Sequence, residues 1–191
     1  MMNRREIVAV VGSVLVFPGL VEVASAQKSQ HMTPDAQQPG PAADRHMLDT
    51  AAIGSLSLLA SRMAANKVED SRIRRFVEFE TAEQNAIAGV LMNMNKPATQ
   101  ASGVQTPPSD MQLMSHLNSD GHAALDHLKG LSGVEFERAY LHLELDGHQK
   151  LLKIQNTYLA VGHDREELSF AKLAMTMIAE HLVLLHDLHA S

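Results

Sequence analysis

The stretch from Ser132 to Tyr158 constrains the fold more than any other part of the chain. Phe136, Tyr140, Leu143, Leu151, Ile154 and Tyr158 recur at helical spacing. Leu141, Leu145, Leu152 and Leu159 form a second row beside the first. Gly147 continues the first row and is expected to let a neighbouring helix approach closely. Ser132 stands as an N-cap, and Glu135, three residues on, completes the pattern of a capping box. At about 100° per residue, Glu137, Glu144, His148 and Gln155 fall on one column between the two apolar rows. A helix with so wide an apolar face is buried round most of its circumference. Its inward acids and imidazole then need a hydrogen bond, an opposite charge or a metal ion.

Three further segments carry the same period. The first runs from about His46 to Asn66, with a stripe of Leu48, Ala52, Ser55, Leu56, Leu59 and Met63. No acid or histidine lies between Asp49 and Glu69. The second runs from Ser71 to Met92. Ile73, Phe76, Val77, Ile87, Ala88 and Leu91 set its inner face, and Glu80, Glu83 and Gln84 fall in the same arc. Either all three point inward, or Glu83 reaches out to the edge. The last helix follows Asp164, an N-cap with Glu167 as its capping-box partner, and runs to about Leu188. His181 is at the centre of its apolar arc. His186 and His189 lie at its margin and frayed end, where surface positions are expected.

The connections set the architecture. A turn at Asn66 to Asp70 makes the first two helices antiparallel neighbours. Asn93 to Asp110, with Pro97, Gly103, Pro107 and Pro108, is long enough to cross the fold. Ser119 or Asp120 then starts a short extra helix that Gly130 ends. The prediction is an all-α protein: a four-helix bundle with a long crossover between helices 2 and 3 and a short extra helix.

Composition narrows the function classes. The chain has 191 residues, enough for one domain with a sizeable core. A formal charge of −6 argues against a nucleic-acid partner. The absence of cysteine excludes disulfides, thiolate metal sites, iron–sulfur clusters and a lipid-anchor cysteine. There is no Gly-rich phosphate loop, G-x-S-x-G elbow or H-E-x-x-H pair, so no enzyme chemistry is singled out.

The N-terminus predicts export. Asn3-Arg4-Arg5 precedes an apolar run from Ile7 to Leu20, and Ala24-Ser25-Ala26 fits a small-x-small cleavage rule. Residues 1–26 are read as a signal peptide, 27–44 as a Pro- and Gln-rich linker, and 45–191 as the bundle domain. The expected location is the periplasm or cell envelope, where an envelope protein partner is possible. No later segment is expected to be long and apolar enough to cross a membrane.

Several of these residues carry a resemblance. S-G-V-E-F-E-R-A-Y at 132–140, His148 eight residues after Tyr140, and His181-Leu182 resemble a large family of exported bacterial proteins of unknown function. That family is domain of unknown function 4142, labelled "predicted outer membrane protein", and the resemblance implies a ferritin-like bundle. The block from Arg75 to Leu91 resembles its second helix. This chain reads Glu83-Gln84 where the family reads Asp-His. It has Gly147 where Asp is frequent, and Ser57 or Leu58 where the first helix often carries Glu. Each difference removes a ligand from a two-metal ferritin-type centre.

The expected site is therefore mononuclear at best: His148 and His181, with Glu144, Glu80 and Glu83 around them. Two readings follow. In one, the chain is a non-enzymatic envelope protein with no cofactor. Its core polar groups then satisfy one another, Glu144 or Glu80 on His148 and His181 on Gln84. In the other, it is a periplasmic binder of a single divalent metal ion, Zn, Fe, Mn or Cu. Met92, Met94, Met111, Met114 with His116, and Met175 with Met177 offer soft ligands for copper, though methionine at helical spacing usually fills core gaps.

Overall fold

A computed structural model of the chain describes residues 40–96, 100, 103 and 106–190. The expected signal segment 1–26 and most of the expected linker lie outside the described residues. Six helices follow in order: α1 Pro41–Ala64, α2 Ser71–Met94, α3 Asp110–Met114, α4 Ser119–Gly130, α5 Gly133–Val161 and α6 Arg165–His189. No strand occurs among the described residues. The protein is all-α, as the periodicity requires.

The four long helices form a ring, α1 beside α2 and α5, and α6 beside α5 and α2. Pairs across the seams run in opposite senses: His46 meets Gln155 while Ser61 meets Tyr140, and Ser57 meets Glu80. Neighbouring helices are thus antiparallel, and α2 and α5 lie on opposite corners. The crossover between them carries α3 and α4 along α1. Arg62 fastens it, donating to Asp110 Oδ1 (2.5 Å), Asn85 Oδ1 (3.0 Å) and the Pro108 carbonyl (3.0 Å).

Helix ends refine the sequence boundaries. α1 starts at Pro41, five residues before the expected His46, because proline's fixed φ suits the first helical position. Ala43 is already buried, so residues 41–44 belong to the domain and not to the linker. Asp70 caps α2 on the Arg72 amide, and Asp164 caps α6 on the Glu167 amide. Asn118, rather than Ser119 or Asp120, caps α4 on the Gly121 amide. α3 was not expected, although Ser109 and Gln112 spell out its capping box. The capping box expected at α5 does not form. Ser132 makes no side-chain cap bond, and Gly133 holds a left-handed φ of 55° at the first helical position. That turn, which favours glycine, carries the Ser132 hydroxyl away from the helix amides.

Along α5 the interior alternates between apolar and polar layers. Phe136 and Tyr140 pack with Leu58, Phe76, Val77, Leu128 and Leu185 in the largest apolar cluster. Each such side chain contributes about 1.5–3 kcal/mol by burial. Glu144 and His148 form the next layer, then Leu151 with Ala174 and Ile178. Gln155 forms a second polar layer, and Tyr158 closes the far end with Ala43 and Ala171. A Cβ at Gly147 would only touch Ile53 at 3.6 Å, so the α1–α5 approach does not require glycine there.

One expectation about membranes is corrected. By length and composition alone, α6 is able to cross a membrane, with a mean hydropathy of 1.5 over its most apolar window. In the bundle it buries Ala171, Ala174, Ile178, His181 and Leu185, a third of that window being buried, and leaves Leu173, Val183 and Leu184 exposed.

Candidate metal centre

The first polar layer gathers side chains from all four long helices. α2 supplies Glu80, α5 supplies Glu144 and His148, α6 supplies His181, and α1 supplies Ser57. All five are buried, Glu80 and Glu144 completely. Glu80 Oε2 lies 2.7 Å from His181 Nδ1 and 3.3 Å from His148 Nε2, and those two nitrogens are 3.1 Å apart. Phe76 covers both rings edge-on.

The outer nitrogen of each imidazole is already committed. His148 Nδ1 is 2.8 Å from the Glu144 carbonyl, which only accepts, so Nδ1 carries the hydrogen and Nε2 is left with a lone pair. His181 Nε2 is 3.0 Å from Glu83 Oε2, so its Nδ1 is the inward nitrogen. Both lone pairs converge on Glu80 Oε2. That atom is fully buried and no hydrogen bond of good geometry reaches it, short as the contacts are. Three acceptors so close need a cation between them, a proton or a metal. Glu80, His148 and His181 have the burial and ligand-atom spacing of a metal-holding group.

The electrostatics fit a proton as that cation when no metal is bound. Burial pushes the Glu80 carboxyl up, but the close, positively charged imidazoles of His148 and His181 outweigh it and hold Glu80 below the ordinary carboxylate range. Burial pushes Glu144 well above that range, and the charge on Glu80 adds to it. Glu80 is therefore the ionised partner and Glu144 the neutral one. Burial lowers His181, yet the Glu80 carboxylate beside it gives a net rise. Burial, opposed by His181, leaves Glu83 raised.

The five sequence-nominated residues thus take three positions. Glu80, His148 and His181 form the central triangle. Glu83 is at the edge, its side chain about 36% exposed, and orients His181. Glu144 lies outside the triangle. Its Oε2 is 3.7 Å from the wrong nitrogen of His148, and its carboxyl instead bonds Ser57 (2.7 Å) and Ser61 (3.5 Å). Ser57 gives its one hydrogen to Glu80 Oε1 and accepts from the neutral Glu144, and Ser61 meets Tyr140. The expected bond between His181 and Gln84 is absent. Glu137, from the same column of α5, accepts the Glu69 and Asp70 amides at 2.6 and 2.8 Å and secures the turn before α2. Of the methionines proposed for copper, Met111 and Met114 are exposed on α3.

Sequence reasoning missed a second polar cluster. His46 Nδ1 is 2.6 Å from Glu167 Oε1, and His46 Nε2 is 2.7 Å from Gln155 Oε1. Gln155 Nε2 donates to Thr50 Oγ1 at 3.1 Å. His46 stacks on Tyr158 with ring centroids 4.2 Å apart. Glu167, read as the reciprocal half of a capping box, turns inward to His46 instead. The missed signal was the column His46, Thr50, Ser57 and Ser61, which repeats on α1 the polar line seen on α5.

No curated protein matches the chain. A crystal structure of a DUF305 protein from Streptomyces coelicolor, described as a candidate secreted protein, shares its fold. The TM-score is 0.60 at 18% identity, over 76% of this chain and 90% of that one. The family match covers residues 28–188, and the chain belongs to the DUF4142 family, a domain of unknown function.

Proposed function

We propose that the chain is an exported, non-enzymatic envelope protein whose bundle holds one divalent metal ion on Glu80, His148 and His181. The observation that carries this reading is Glu80 Oε2, a fully buried carboxylate oxygen without a hydrogen bond, faced by two imidazole nitrogens. Their separations of 2.7–3.3 Å are close to those on one face of a coordination shell. Ligands about 2.0–2.2 Å from one ion lie roughly 2.8–3.6 Å apart, so the Glu80–His181 pair opens slightly on binding. The outer bonds of His148 and His181 fix ring orientation and tautomer, as second-layer partners of metal-bound histidines do. Two imidazoles and one carboxylate suit zinc, iron or manganese.

A two-metal centre does not fit. α1 offers Ser57 where a bridging acid would be needed, and Gln84 on α2 belongs to no part of the cluster. Export is supported by the basic and apolar N-terminal segment and the cleavage pattern at Ala24–Ala26. The DUF305 structural neighbour, described as a candidate secreted protein, agrees with it. The ion competes with a proton for the same space, so its affinity should fall toward acid pH.

The test is metal analysis of tag-free protein taken from the native envelope. One equivalent per chain is expected in the wild type, and none in His148→Ala or His181→Ala. Two tightly bound ions with oxygen-dependent iron oxidation, or metal content unchanged in both variants, would contradict the reading.

A further inference from the structure

A cavity of about 510 Å³ opens between α1, α2 and α3. Ligand sites of small molecules span roughly 300–1,000 Å³. Its walls are apolar: Met47, Leu48 and Ala51 from α1, Ile87, Ala88 and Leu91 from α2. Among its polar lining side chains, Ser55 and Gln84 keep only 5% and 4% of their surface exposed, and Thr50, also buried, is taken by the Gln155 amide. Among the described residues neither the Ser55 nor the Gln84 side chain has a hydrogen-bond partner. Gly54 makes room for this arrangement, since a Cβ there would stand 2.9 Å from Gln84 Oε1. The cavity shares no residue with the metal triangle, although Gln84 lies one helical turn beyond Glu80.

An amide and a hydroxyl that face a cavity with no protein partner are satisfied by water or by the polar group of a ligand seated there. Gln84 presents both a donor and an acceptor, which matches another amide or a hydroxyl better than a carboxylate. The charged groups of the lining, Asp44 and His116, are exposed, and Asp44 disfavours an anionic head. We infer that this cavity binds a neutral, mostly apolar small molecule whose one amide or hydroxyl group hydrogen-bonds Gln84 and Ser55.

The probe is decanamide, titrated calorimetrically into the full chain in the presence of chelator. Saturable binding of one equivalent is expected, and His148→Ala should bind equally well, which separates this site from the metal centre. Ala88→Trp should abolish binding by filling the cavity, with helix content checked by circular dichroism. Gln84→Leu, which keeps the apolar wall, should weaken it about tenfold, the loss of one or two hydrogen bonds. No saturable binding by the wild type, or Gln84→Leu binding as tightly as the wild type, would overturn the inference.

Discussion

The bundle contains two buried histidine–carboxylate clusters, and they differ in one respect. In the layer of His46, Gln155 and Glu167 both ring nitrogens have close partners, and the amide passes a further bond to Thr50. One proton between His46 and Glu167 satisfies the pair. Only the Tyr158 hydroxyl nearby lacks a bond of good geometry, and burial with the Glu167 charge pushes that phenol up to about 12. In the layer of Glu80, His148 and His181 the outward atoms are satisfied, the two inward nitrogens have only each other at 3.1 Å, and Glu80 Oε2 has no bond of good geometry. Burial of histidine and glutamate is thus no sign of a metal site. Convergence of unsatisfied acceptors is. The first cluster fastens the start of α1 to α5 and α6; the second brings three ligand atoms within 4.8 Å of one another.

The largest effect expected from this comparison is in the satisfied cluster. His46→Ala leaves Glu167 buried without its partner and should destabilise the protein by about 3–5 kcal/mol. Urea unfolding in chelator would measure it, and a loss below about 1 kcal/mol would break the comparison.

The converging cluster should show two effects at once. In metal-free protein, Glu80→Gln removes the buried charge that His148 and His181 stabilise, although the amide oxygen still accepts from Ser57, so stability should fall by about 1–3 kcal/mol. The same variant should lose metal. Unchanged stability in chelator would mean that the imidazoles do not partner Glu80 when the ion is absent.

A smaller effect concerns pH. Glu144 keeps its proton to higher pH in the folded state than in the unfolded chain. The unfolded state releases that proton first, so this group costs stability as pH rises above its ordinary value of 4.5. Glu80 has the reverse sign: its depressed value contributes stability that is lost as pH falls through the folded-state value. Glu144→Gln should therefore flatten the decline on the neutral side and leave the acid side unchanged. Thermal unfolding across pH, with chelator present, would reveal an unaltered slope if Glu144 were ionised when folded.

Much of this was legible in the sequence, and the failures have identifiable causes. The column of Glu137, Glu144, His148 and Gln155 was readable because α5 carries an unbroken period over seven turns, and all four are buried. Periodicity gives direction but not partners. It could not say that Glu144 would turn to two serines, or that Glu137 would serve a neighbouring turn. Ser57 was read as a missing ligand, whereas it bridges Glu80 and Glu144. His46 was overlooked because the linker was drawn too far, to residue 44, leaving it at a helix end. Glu167 was overlooked because a local pattern, the capping box, explained it before its tertiary contact came into view. α3 was hidden inside a segment whose prolines suggested only a loop.

In the proposed site Glu80, His148 and His181 hold one cation. Calorimetric titration of zinc into chelator-stripped, tag-free protein tests it most directly, with wild type, His181→Ala and His46→Ala compared at neutral pH. The account predicts one tight equivalent in the wild type, one in His46→Ala wherever that variant remains folded, and none in His181→Ala. A wild type that binds no zinc, or a His181→Ala that still binds one equivalent as tightly, would contradict it.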